Sequence, residues 1–291
     1  MLFTLSEILK QAQKKQYAVV APDFFSLDFA QILLDCASEH HAPLILSYCH
    51  SEFNTFELDD IDQCIHIARE LSDKQNVPVA LHLDHALDIN IVHKYLDLGF
   101  TSVMIDASMR SFDENVKITQ KVVSLARTYH ASVEAELGHV GNGSDYLVSD
   151  PSAEELTNPM QVKEFVNRTE VDALAVSIGT QHGFYRVADC LHLDLLEEIA
   201  HISNIPLVLH GTSGTDHDQI RQAVQRGICK LNVFTELFTA YQQASLPMPV
   251  NNLKDVNERN LTRRQAVFKK LNTYFELSSS LGKAKDLLNI A

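Results

Sequence analysis

A closed (β/α)8 barrel is the fold class this sequence predicts, on three observations. Eight apolar runs recur along the chain, at residues 17–21, 43–46, 77–83, 102–105, 132–137, 173–178, 206–209 and 228–233, with stretches of helical periodicity between them. Strand–helix–strand alternation argues for a parallel sheet, and eight such units over roughly 250 residues fit a closed barrel. The competing doubly wound open sheet is weakened because no G-x-G-x-x-G follows the first run. Finally, polar residues stand where the runs end, and a barrel carries its chemistry at the C-terminal ends of its strands.

Residues 2–14 predict a short helix, with Leu5, Ile8 and Leu9 at helical spacing. Ile61, Ile65 and Ala68 share a helical face, as do Ile91, Tyr95 and Leu98, and Leu191, Leu195 and Ile199. Asn158-Pro159 places proline in a first turn, and Thr215 or Asp216 is set to cap the helix of Ile220 and Val224. The stretch 138–146, Gly-His-Val-Gly-Asn-Gly-Ser-Asp-Tyr, predicts a mobile loop over the barrel mouth or a plain surface connection. Helical segments follow at 236–244 and about 256–277. The expected organisation is one domain, 1–291. Its barrel spans about 17–245, and a C-terminal helical extension over about 256–291 packs outside it or on a partner.

With 291 residues, 45% of them hydrophobic, the chain has ample material for a core. A formal net charge of -14 makes nucleic acid and anionic membrane poor partners. An anionic substrate would then need a local positive site, such as a helix N-terminus or a bound metal. Cys36, Cys49, Cys64, Cys190 and Cys229 are scattered without C-x-x-C spacing and predict buried thiols in a reducing cytoplasm. No signal peptide or membrane span is read in the sequence.

The run Val79-Ala80-Leu81-His82-Leu83-Asp84-His85 ends in an acid beside an imidazole. Alone, that pair is either a metal ligand next to a proton-transfer group or an ordinary polar strand end. His182 and His210 also follow apolar runs. Three imidazoles at three strand ends supply what a catalytic zinc needs, with one position left open for substrate. Glu134 and Glu136 alternate with Val133, Ala135 and Leu137, so both face inward. Two acids inside a barrel require a cation, either a metal or Lys230 of the eighth run. His82, on the opposite parity to His85, reads as a packed or hydrogen-bonded histidine, and His139 is open. Gly211-Thr212-Ser213-Gly214 and Asn232-Val233-Phe234-Thr235 are short turns before helices, suited to hold a phosphate with backbone N–H groups.

Residues 79–85 (VALHLDH), 100–108 (FTSVMIDAS), 133–138 (VEAELG), 179–183 (GTQHG), 208–214 (VLHGTSG) and 227–235 (GICKLNVFT) together resemble the class II, zinc-dependent ketose-bisphosphate aldolases. The likeness is greatest to the tagatose- and fructose-bisphosphate group and runs in order from about residue 5 to 235. It implies that His85, His182 and His210 hold zinc, that Glu134 is a carboxylate at the metal, and that Asp84 is the catalytic acid for the aldehyde-derived oxygen. It implies that Gly183, Gly211, Thr212, Ser213, Asn232, Val233, Phe234 and Thr235 hold the dihydroxyacetone-phosphate half. It further implies a Na+ or K+ ion near the phosphate and a homodimer or homotetramer. The chemistry agrees: zinc as a Lewis acid polarises a ketone, and a phosphate-holding surface fixes the rest of a small sugar.

The sequence departs from the family pattern in three places. Ala21-Pro22-Asp23 stands where the first strand usually ends in Ala-Phe-Asn, so an acid replaces an amide. Ser144-Asp145 stands where the loop normally carries Glu-Asp, so the expected base is missing and Asp145 or another group has to serve. Tyr185-Arg186 replaces Tyr-Lys. Two alternatives stay open: a Schiff-base aldolase on Lys230, and, motivated by Ser144, a catalytically weak sugar-phosphate-binding or regulatory protein of the same fold.

Overall fold

Eight parallel strands close into a barrel in chain order: β1 (Val19–Pro22), β2 (Leu44–Cys49), β3 (Val79–Ala86), β4 (Ser102–Ile105), β5 (Ser132–Leu137), β6 (Ala173–Val176), β7 (Leu207–Leu209) and β8 (Ile228–Val233), with β8 returning to β1. This computed structural model describes residues 2–53, 61–141, 155–183, 191–244, 246 and 252–288. The (β/α)8 barrel is the architecture the alternation of runs predicts. Among the described residues no helix is long and apolar enough to cross a membrane.

Strand periodicity sorts the side chains into two cores. Val133, Ala135 and Leu137 of β5 point outward into the layer between strands and helices, joined by Leu81 and Leu83 of β3 and Leu231 and Val233 of β8. The other parity fills the barrel interior. Its lower part is apolar, with Val19, Ala21, Ile45, Ala80, Met104, Ala173, Ala175 and Val208.

The helix Leu5–Lys15 closes this lower end. A capping box starts it: the Thr4 hydroxyl accepts from the Glu7 N–H at 3.2 Å, and the Glu7 carboxylate accepts from the Thr4 N–H at 2.7 Å. Leu5, Ile8, Leu9 and Ala12 then lie on one face, fully buried under the interior cluster. The Ser132 hydroxyl at the foot of β5 accepts the Ser6 N–H at 3.0 Å, so the plug is also pinned by a hydrogen bond.

Two register shifts disturb the regular alternation. β3 and β4 slip between Leu83 and Ala86. β7 and β8 slip between Leu207 and Val208, whose partners are Ile228 and Lys230, so Cys229 is bulged. Cys229 drops into the floor cluster while Lys230 is buried above it. The third strand also runs on to Ala86, three residues past the end its apolar run predicts.

Helix starts follow their caps. Asn158 precedes Pro159 and accepts the Met160 N–H, and Asp216 rather than Thr215 caps His217–Gln225. The long helix Leu253–Leu277 buries Val267, Leu271, Tyr274 and Phe275 and packs outside the barrel on the helices Leu27–Glu39 and Thr235–Gln243. Cys36, Cys49 and Cys229 are buried thiols. Cys190 and the Cys64 side chain lie outside the described residues.

Candidate active site

At the other end of the same interior the side chains turn polar. His85, His182 and His210 come together there, with one ring nitrogen from each inside a group whose members lie within 4.8 Å of one another. The ring centroids are 4.6 Å apart for His85 and His210, 4.8 Å for His85 and His182, and 5.8 Å for His182 and His210.

Strict alternation could not aim both Asp84 and His85 at this point. The backbone does so by placing His85 at φ 44°, at the slip between β3 and β4. A left-handed conformation is uncommon for any side chain larger than glycine and costs about 1–3 kcal/mol, so the surrounding structure must hold it. His182 arrives on the segment after β6. Gly211 lets that segment close on β7: at φ 64° it passes so near Gln181 that a Cβ would sit 2.3 Å from the Gln181 carbonyl oxygen. The requirement for glycine there is steric and separate from any role in holding phosphate.

Hydrogen bonds decide which nitrogens face inward. His85 Nδ1 lies 3.1 Å from Asp106 Oδ2, and His210 Nε2 lies 2.9 Å from Glu134 Oε1. A carboxylate only accepts, so each of those nitrogens carries the proton. The remaining pair, His85 Nε2 and His210 Nδ1, are 2.8 Å apart, at hydrogen-bond distance. Two facing lone pairs repel unless a proton or a cation lies between them. Zinc bonds to imidazole at about 2.0–2.1 Å put neighbouring nitrogens roughly 3.4 Å apart, so a small outward shift of this pair accommodates the ion. Without metal a proton occupies the gap. Burial opposes charge on His85, but Asp84 and Asp106 raise its pKa to about 10. Burial, with His85 and His210 alongside, holds His182 well below the ordinary imidazole value.

Glu134 therefore stands behind His210, on the side away from the other two rings, and not among the nitrogens that face the common centre. Its second oxygen accepts from Lys230 Nζ at 2.8 Å. Lys230, itself fully buried, also lies 3.3 Å from His82 Nε2 and 3.9 Å from Asp84 Oδ1. Burial alone would raise the Glu134 pKa, but Lys230 and His210 bring it down to about 2. His82 is packed beneath, with Nδ1 2.9 Å from the Ser102 hydroxyl. Glu136, also fully buried, accepts the Val140 N–H at 2.9 Å and belongs to a group with His85 and Asp106. Its other oxygen has no hydrogen-bond partner among the described residues. Glu134 belongs to a second such group, with His82 and Asp84.

Asp84 faces the pocket beside the imidazoles. The Asn232 amide donates to both of its oxygens, at 3.2 and 3.1 Å. Burial opposes its charge, yet His85, His82 and Lys230 hold its pKa well below the carboxylate range. Asp84, His182, Gly183, Gly211, Thr212, Ser213, Asn232, Val233, Phe234, Thr235 and Asp23 line one pocket. The two phosphate-type turns differ in their helices. Asp216 already accepts the first N–H groups of His217–Gln225. Thr235–Gln243 follows Phe234, which supplies no side-chain cap, and its Glu236 N–H meets the Ser213 hydroxyl at 3.4 Å, so the two turns adjoin at that helix end. Asp145, Ser144 and Arg186 lie outside the described residues.

Sequence reasoning passed over Asp106, which orients His85, and the relay beyond it. The Ser108 hydroxyl donates to Asp106 Oδ1 at 2.7 Å and lies 2.9 Å from His139 Nδ1. The signal was present: Asp106 follows the apolar run of β4 directly, just as Asp84 and His85 close that of β3.

Known proteins resemble this chain in sequence and in fold. The family model described as fructose-bisphosphate aldolase class-II matches residues 3–283. A D-tagatose-1,6-bisphosphate aldolase subunit GatY from Klebsiella oxytoca is 40% identical over 243 residues, 84% of each chain. The crystal structure of the YdjI aldolase from Escherichia coli K12 superposes with TM-score 0.84 at 30% identity, covering 98% of this chain and 100% of that one. A putative fructose-1,6-biphosphate aldolase from Coccidioides immitis gives 0.85 at 25% identity over 96% of both chains. The protein belongs to the class II fructose-bisphosphate aldolase family.

Proposed function

We propose that this chain is a zinc-dependent lyase that reversibly cleaves a ketose 1,6-bisphosphate of the fructose or tagatose type, or a related phosphorylated ketose, to dihydroxyacetone phosphate and an aldehyde. The observation that carries the reading is the convergence of His85 Nε2 and His210 Nδ1, 2.8 Å apart, with His182 beside them, at the edge of a pocket that holds Asp84. His85 Nε2, His210 Nδ1 and a His182 nitrogen would hold the ion, with Asp106 and Glu134 fixing two of the rings from behind. The bound metal would supply Lewis-acid polarisation of the substrate ketone.

The rest falls to the chain's own groups. The turns at Gly211–Ser213 and Val233–Thr235 seat the phosphate with backbone N–H groups and the helix end. Asp84, ionised and oriented by Asn232, accepts the proton of the hydroxyl on the aldehyde side as the C–C bond breaks, and returns it in the condensation direction. The electron pair of that bond passes to the dihydroxyacetone-phosphate carbon, which takes a proton from the loop, with Asp145 as the candidate donor.

Removal of metal should abolish turnover and added zinc should restore it. Aldol cleavage that persists in a metal-free protein would sink the reading. A Schiff base on Lys230 is disfavoured, since its ammonium is engaged by Glu134 and His82, and borohydride with substrate should leave the enzyme active.

A second reading is kept alive by Ser144: a protein that binds sugar phosphate but turns over slowly because the loop base is absent. Solvent exchange of the dihydroxyacetone-phosphate proton separates the two, being fast for the lyase and absent for the binder. The reading further includes one domain, a homodimer or homotetramer, a cytoplasmic setting and a Na+ or K+ ion near the phosphate. The oligomer and the monovalent ion rest on the resemblance alone.

A further inference from the structure

The sequence leaves His139 open, and the proposed reaction gives it no task. It stands just after β5, held by its backbone on both sides. Its N–H donates to the Glu155 carbonyl at 2.7 Å, and its carbonyl accepts from the Ser177 hydroxyl at 2.9 Å. The next two residues touch the polar cluster through their own backbones: the Val140 N–H donates to Glu136 Oε1, and the Gly141 carbonyl accepts the His182 N–H, both at 2.9 Å. The His139 ring turns toward Ser108. The protons along this line can be assigned one by one. The Ser108 hydroxyl and N–H both donate to Asp106 Oδ1, at 2.7 and 3.0 Å, because a carboxylate only accepts. A serine has one hydroxyl proton, so its 2.9 Å contact with His139 runs the other way: the Nδ1–H of His139 donates and the serine oxygen accepts. Glu136 Oε1, 3.7 Å from the same Nδ1, favours the proton there as well. Asp106 Oδ2, on the far side of the carboxylate, takes the Nδ1–H of His85 at 3.1 Å.

We propose that His139 is a positioning residue for the metal centre: its Nδ1–H holds the Ser108 hydroxyl on Asp106, which keeps Asp106 on His85 Nδ1 and leaves His85 Nε2 to the ion. This rests on the zinc reading above. Groups directly behind ligating imidazoles matter by about 10- to 100-fold in metal affinity, and His139 acts two hydrogen bonds further back, so about tenfold is the expected size.

The test is zinc affinity, measured by chelator competition, in wild type, His139→Leu, Ser108→Ala and the double variant. His139→Leu should weaken binding about tenfold. With Ser108→Ala already in place the histidine has nothing left to hold, so adding His139→Leu should change affinity by no more than about twofold. His139→Asn, whose side-chain N–H takes the place of Nδ1–H, should recover most of the loss. Losses that multiply in the double variant would overturn the proposal and leave His139 a structural residue of its loop. If His139→Leu does not fold, NMR of the metal-free wild type decides: His139 should carry a proton on Nδ1, and a proton on Nε2 alone overturns the assignment. If the wild type binds no zinc, the zinc-lyase reading fails separately. The His85 Nδ1 proton resonance of the metal-free protein then decides on His139. It should move in His139→Leu and hold its place in His139→Asn, and a resonance unchanged in both would overturn the proposal.

Discussion

The two ends of the barrel interior are built from the same strands and the same side-chain parity, yet they hold opposite kinds of residue. On β3, Ala80 belongs to the floor, and His82 and Asp84 belong to the layers above it. On β2 the change is from Ile45 to Ser47, and on β6 from Ala173 and Ala175 to Ser177 just beyond the strand. The floor needs no partners beyond volume and is sealed by a helix. The mouth buries Lys230, Glu134, Glu136, Asp84 and His82, each an expensive group in a low dielectric. It is tolerable because Lys230 contacts Glu134 and His82 and lies near Asp84. One end of the barrel is organised for cohesion and the other for a charge that is still to arrive.

That contrast predicts which end controls activity. The largest effect should follow His210→Ala. It removes an inward-facing nitrogen and leaves the Lys230–Glu134 pair without its third member. Zinc content should fall to near zero, and kcat/KM should fall on the order of 10^3-fold or more. Metal analysis and steady-state kinetics on one preparation check this. Full zinc occupancy in the variant would break the assignment of His210.

Next in size is Asp84→Asn. The amide keeps the shape that Asn232 contacts but cannot take a proton, so kcat should drop about 10^2- to 10^4-fold with zinc retained. Loss of metal as well would mean that Asp84 serves the ion and not the proton.

Much of this contrast was legible before any coordinates. Outward faces of strands are apolar whatever the interior holds, so the eight runs marked the strands. Histidines closing those runs marked the mouth, and the period-two pattern of residues 132–137 put both glutamates inside. What stayed hidden depends on backbone geometry or on distant partners. The left-handed turn at His85 undoes the parity that alternation assigns it, and no residue type announces it. That Glu134 is held by Lys230 and His210 depends on residues 96 and 76 positions away in sequence. The steric need for glycine at 211 was also hidden, because the close approach is made by Gln181, on a segment that follows another strand.

A smaller effect, on metal affinity, should come from Asp106→Asn. Carboxylates behind ligating imidazoles typically matter by about 10- to 100-fold in affinity. Asp106 also helps raise the His85 pKa to about 10, so near neutrality the metal must displace a proton. Affinity for zinc should therefore tighten by about tenfold per pH unit from pH 7 toward pH 10, with one proton released per ion. The variant lowers that pKa, which removes part of the proton competition at pH 7 and none at high pH. Its deficit should thus be larger at pH 9 than at pH 7, as measured by competition with a metal chelator. An equal deficit at both would show that Asp106 only orients the ring.

The smallest effect on turnover should come from the floor. Leu9 is fully buried beneath the strands, and Leu9→Ala should cost about 2–5 kcal/mol of stability through the cavity it leaves. Thermal unfolding should report that loss, while zinc content and kcat per folded molecule stay near wild type. The mouth is insulated from this change because its groups are fixed by one another: Lys230 to Glu134, Glu134 to His210, Asn232 to Asp84. None of these contacts passes through Leu9. A fall in kcat that matched the fall in stability would show that the polar layer keeps its geometry only while the apolar layer beneath it is filled, and the two ends would then have to be treated as one mechanical unit.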